Sequence, residues 1–139
     1  MKSAVLKPFA LEPNMLTMGG VFYPTGHIFI MFPSGADRDQ AIDALLEDGY
    51  TGESFTEVPT EAVLGPIAST VGTADIPLPS AGTEANTVRR FAELASQGHA
   101  ALMIHAPSAE ETEHIMKVLG RSKISYAQKY RQLVIEDLA

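Results

Sequence analysis

Gly26-His27-Ile28-Phe29-Ile30-Met31-Phe32-Pro33-Ser34 and Ala100-Ala101-Leu102-Met103-Ile104-His105-Ala106-Pro107-Ser108 decide the fold, their Pro-Ser pairs standing 74 residues apart. Each stretch is apolar on both alternations, the pattern of a central strand, and each closes on a serine placed to cap a helix. After Ser34, Ala41, Ile42, Leu45 and Leu46 recur at helical spacing, with charged and polar side chains between them and Gly49 as the stop. After Ser108, Thr112, Ile115, Met116 and Leu119 form the apolar stripe. Glu111 completes a capping-box pattern and Gly120 ends the run. A charged strand follows each helix: Glu53–Val58 in the first half and Ile124–Ile135 in the second. Both read as edges.

The chain therefore reads as one α+β domain over residues 1–139, with pseudo-repeats at 26–59 and 99–136 and a connection at 60–98. Two βαβ units closing on each other predict a ferredoxin-like, four-stranded antiparallel sheet in order 4-1-3-2 with its helices on one face. The connection is broken by Pro66, Pro77 and Pro79. It predicts a short helix starting at Thr60, a second over Glu84–Gln97 and an exposed loop over 72–83.

The helix Glu84–Gln97, the stretch Gly98-His99-Ala100-Ala101-Leu102-Met103-Ile104-His105-Ala106 and the Glu/Ala-rich helix of 109–119 together resemble one repeat of the bacterial general stress protein 17M-like family. That family carries the repeat twice around a Gly/Ala-rich segment, and Ala62-Val63-Leu64-Gly65-Pro66-Ile67-Ala68 stands in that place here. The resemblance implies a stress-associated protein. It brings no catalytic residue with it.

Composition bounds the function. There is no cysteine, which removes disulfides, thiolate metal ligands and cysteine nucleophiles and suits a cytoplasmic protein. No run approaches the ~18 apolar residues that a bilayer demands, so a membrane partner is not expected. The net charge of −7 disfavours general nucleic-acid binding, although seven of the ten basic residues lie in 88–139. Walker, Rossmann and GxSxG patterns are missing, and neither a cofactor nor a metal site is expected.

Alternation sets Phe29 and Met31 of the first central strand, and Ala101 and Met103 of the second, on the sheet face away from the helices. Left open, that face would put apolar side chains in water. These four residues are therefore the expected interface of a homodimer, with the N-terminal segment or the central helix as other covers. His99, His105, Tyr126 and Tyr130 are the candidate ligand site, since histidine titrates near neutral pH and the tyrosines alternate onto the same face. The reading that results is a non-catalytic, stress-associated or regulatory module that self-associates through the open face. The alternative is a small dimeric α+β-barrel enzyme or small-molecule-binding protein with its pocket near His99 and His105.

Overall fold

The computed structural model describes residues 6–17, 19–71, 82–132 and 134–138. Strands β1 (Lys7–Pro8), β2 (His27–Phe32), β3 (Phe55–Val58), β4 (Ala100–His105), β5 (Tyr126–Tyr130) and β6 (Ile135–Asp137) form one mixed sheet in the order β1-β3-β4-β2-β5-β6. The helices are α1 (Gly35–Glu47), α2 (Thr60–Ala62, continued by a π-helical turn at Val63–Ile67), α3 (Gly82–Ser96) and α4 (Ala109–Val118).

The centre is the antiparallel pair β2/β4, in register from His27 opposite His105 to Phe32 opposite Ala100. β5 pairs antiparallel with β2, and β3 pairs antiparallel with β4. Serine caps start α1 and α4 where expected. Ser34 Oγ accepts from the Asp37 amide at 3.1 Å and Ser108 Oγ from the Glu111 amide at 3.0 Å. Gly49 at φ 106° and Gly98 at φ 93° take the left-handed geometry that turns the chain out of α1 and α3.

The sheet has six strands rather than four. β1 lies parallel to β3, with Lys7 opposite Thr56, so β3 is not an edge. The long last strand expected over Ile124–Ile135 is a hairpin instead. The chain turns after Tyr130, with the Arg131 amide donating to Val134 O at 2.9 Å, and β6 returns along β5.

Helices cover both faces, which corrects the expectation of a single helical layer. On one face Ile28, Ile30, Phe32, Leu102 and Ile104 pack against Ala41, Ile42 and Leu45 of α1 and Ile115 of α4. On the other, Phe29, Met31, Ala101 and Met103 pack with Val88 and Phe91 of α3, Val63 and Ile67 of the π-helical turn, and Val21 and Phe22 of the N-terminal segment. Phe29 and Phe91 stack with ring centroids 4.1 Å apart, and Phe22 meets Phe29 edge-on at 5.7 Å. The four residues expected at a dimer interface are each at most 2 % exposed. The open apolar face that motivated self-association does not exist: the connection and the N-terminal segment already cover it. The loop read over 72–83 lies, up to residue 81, outside the described residues.

Phe91 of α3 is fully buried against Phe29 of the sheet. Phe91→Ala is expected to cost about 3–5 kcal/mol, the usual cost of emptying a buried phenylalanine site, as read by urea denaturation. A loss below about 1 kcal/mol would show that the Phe29 ring is held by something other than α3.

Candidate functional site

Aligning β2 and β4 end to end in opposite directions carries the first residue of one to the last of the other. His27 thus lies directly across from His105, with ring centroids 5.1 Å apart. By alternation His27 shares its face with Phe29, so it points to the side covered by the N-terminal segment. Among the described residues, that segment does not close over the strand ends. It leaves a cleft of about 340 Å³ lined by Lys7, Glu12 and Asn14 from the segment, Glu53 and Thr56 from around β3, and His27, Met103 and His105 from the central strands. The parallel β1/β3 pairing is what brings Lys7 to its rim.

His27 Nδ1 lies 3.1 Å from the carbonyl oxygen of Thr25. A carbonyl only accepts, so in the neutral ring Nδ1 carries the hydrogen and donates it. Nε2 then holds the lone pair, and among the described residues no hydrogen bond claims it. Burial lowers the pKa of His27 below the ordinary 6.5; the neighbouring His105 and Lys7 lower it further, against the raising effect of the Thr25 and Pro24 carbonyls. At neutral pH the cleft therefore presents an uncharged imidazole with a defined tautomer and a free basic nitrogen.

The four residues proposed from sequence do not converge. His105 is in the cleft. His99 stands at the other end of β4, its Nδ1 2.7 Å from Ser125 Oγ; six residues of strand place it ~20 Å away. Tyr126 is half-buried against Phe91, with Arg90 over its ring at 6.0 Å. Burial raises its phenol, against the opposing hydrogen bond of Thr87. Tyr130 is fully buried between Phe22 and Tyr23, and burial holds its phenol well above the usual range. Both tyrosines are packing residues of the second core. Sequence reasoning passed over His27 and Lys7. The signal for His27 was present, because an antiparallel pairing of the two Pro-Ser strands forces His27 against His105. The signal for Lys7 was not, because a two-residue parallel strand leaves no pattern.

Among the described residues, no three His, Asp or Glu side chains stand close enough to hold a metal ion together. None of the described helices is long and apolar enough to cross a membrane. Comparison with protein-family models, curated proteins and solved structures finds no match.

The depressed pKa of His27 has a consequence for stability. As pH falls through about 6.5, the unfolded chain takes up a proton at this residue before the folded one does. This contribution is therefore fully present above that value and is lost as pH falls toward the lower folded pKa. The urea midpoint is expected to drop between about pH 7 and about pH 5, and His27→Gln to flatten part of that drop. An unchanged slope in the variant would place the titration elsewhere.

Proposed function

We propose that this chain is a small-molecule-binding module built on a ferredoxin-like core, whose ligand sits in the cleft between the N-terminal segment and the paired histidines. The observation that carries this reading is the contact of His27 Nδ1 with the Thr25 carbonyl oxygen, from which its tautomer follows. A half-buried neutral imidazole with Nδ1 committed to a backbone carbonyl and Nε2 uncommitted is arranged to accept a hydrogen bond from a guest. The strand order β5-β2-β4-β3 at the heart of the sheet supports the ferredoxin-like reading, with β1 and β6 as additions at the two edges.

The lining suggests the guest's character. Lys7 offers a positive charge, Glu12 and Glu53 offer negative ones, and His105 can donate or accept across from His27. Such a lining suits a small polar molecule with a donor for His27 and a second polar group for Lys7 or Glu53. The cleft volume of about 340 Å³ is at the low end for small-molecule sites. Binding is favoured over turnover because His27 makes no hydrogen bond to a hydroxyl among the described residues, so no activated nucleophile stands beside the base.

A fragment library of small polar compounds, screened by amide and histidine-ring NMR shifts, tests this. Hits are expected to move Lys7, His27, Thr56 and His105 together, and His27→Gln is expected to weaken them about tenfold or more, the effect of losing one well-placed hydrogen bond. Hits that leave these signals still, or bind the variant equally well, would refute it.

A further inference from the structure

A second cavity of about 310 Å³ lies on the opposite face of the sheet, where α4 passes over β5 and β6. Its notable feature is Lys129. This lysine is two residues from Ala127 on β5 and so shares its face, which belongs to the α1/α4 core. It is only 4 % exposed, although it lines the cavity. Its Nζ donates to the carbonyl oxygen of Ala106 and to Thr112 Oγ1, both at 2.5 Å. The hydroxyl hydrogen of Thr112 is already given to Ser108 O at 3.0 Å, so Oγ1 can only accept from the lysine. Among the described residues no carboxylate lies within 4.0 Å of Nζ.

A buried ammonium without a counterion is poorly placed, and lysine relieves that cost by releasing its proton. Here burial, aided by the guanidinium of Arg131, holds the amine below its ordinary range, against the opposing pull of Glu136 and Glu111. A neutral amine has two N–H bonds and one lone pair. Two acceptors are in place for N–H bonds, and among the described residues no further hydrogen bond claims Nζ. The rest of the cavity has apolar walls at Ala109, Met116 and Leu138 and carboxylates at Glu113 and Glu136.

We propose that Lys129 is a reactive amine that condenses with a small aldehyde or ketone entering this cavity. The nitrogen lone pair adds to the carbonyl carbon, and the carbonyl oxygen becomes a hydroxyl as one amine hydrogen is transferred to it. Loss of that hydroxyl with the second amine hydrogen, as one water, forms the C=N bond. No electrons are exchanged with any other species. Glu113 and Glu136 are placed to carry the protons, and a desolvated lysine in a partly apolar pocket is the usual setting for such a nucleophile. This site shares no lining residue with the histidine cleft, so it stands or falls separately.

The test is reductive trapping on the full chain. Propionaldehyde with cyanoborohydride at about pH 7, where ordinary lysines are almost wholly protonated, is followed by peptide mapping. Lys129 is expected to be alkylated at least tenfold faster than Lys7, Lys117 and Lys123, all of which are exposed. Lys129→Arg, confirmed folded by circular dichroism, is expected to remove the fast phase alone. Labelling confined to the exposed lysines, or labelling of Lys129 only after unfolding in urea, would overturn the proposal. Should the variant not fold, the map of the wild-type chain decides by itself.

Discussion

Two adjacent central strands that are apolar on both faces impose a condition that the rest of the chain has to meet. β2 and β4 bury Ile28, Ile30, Leu102 and Ile104 on one side and Phe29, Met31, Ala101 and Met103 on the other. Burial of this kind is worth ~25 cal/mol per Å² of apolar surface, and one layer of helices can satisfy only half of it. The crossover helices α1 and α4 cover the first face. The second is closed by α3, the π-helical turn and the N-terminal segment, which enclose Phe22, Phe29, Phe91 and Tyr130 in one aromatic cluster. The additions that distinguish this sheet from a bare four-stranded one serve that closure or extend from it.

Both cavities follow from how that closure ends. On one face, the cleft with His27 and His105 lies between the described part of the N-terminal segment and the ends of β2 and β4. On the other face the same end of the sheet is flanked by the short hairpin strand β6, and Lys129 lies between it and α4 beside an opening. In each place burial pulls the pKa of a basic group below its ordinary range, and the group adjoins an open volume.

How much of this the sequence showed depended on whether a feature repeats. The two strand–Pro–Ser–helix units and their caps were legible because each leaves a periodic or positional mark: Ser34 and Ser108 cap as read, and Gly49 turns the chain out of α1, whereas α4 ends at Val118 and Gly120 lies within the 3-10 turn Leu119–Arg121 that follows. The helix over 84–97 was also legible, and appears as α3. Its destination was not, because an amphipathic stripe of Ala85, Val88 and Phe91 says that a face is buried without saying against what. That gap left a partner subunit, the N-terminal segment and the central helix as rival covers for Phe29 and Met103, with the subunit preferred, and the structure seats the other two there. The turn after Tyr130 was missed because Arg131 and Gln132 carry no glycine or proline to mark it. His99 and His105 were grouped because they share a face, which ignored the length of the strand between them.

One chain covers its own sheet on both sides. The most direct measurement is an isotope-filtered NOE experiment on a mixture of labelled and unlabelled chains, following the rings of Phe29 and Phe91. Strong contacts are expected between these rings within one chain and none between chains, unchanged on dilution. Contacts that appear only between labelled and unlabelled molecules, or a Phe29 ring with no Phe91 neighbour, would contradict it.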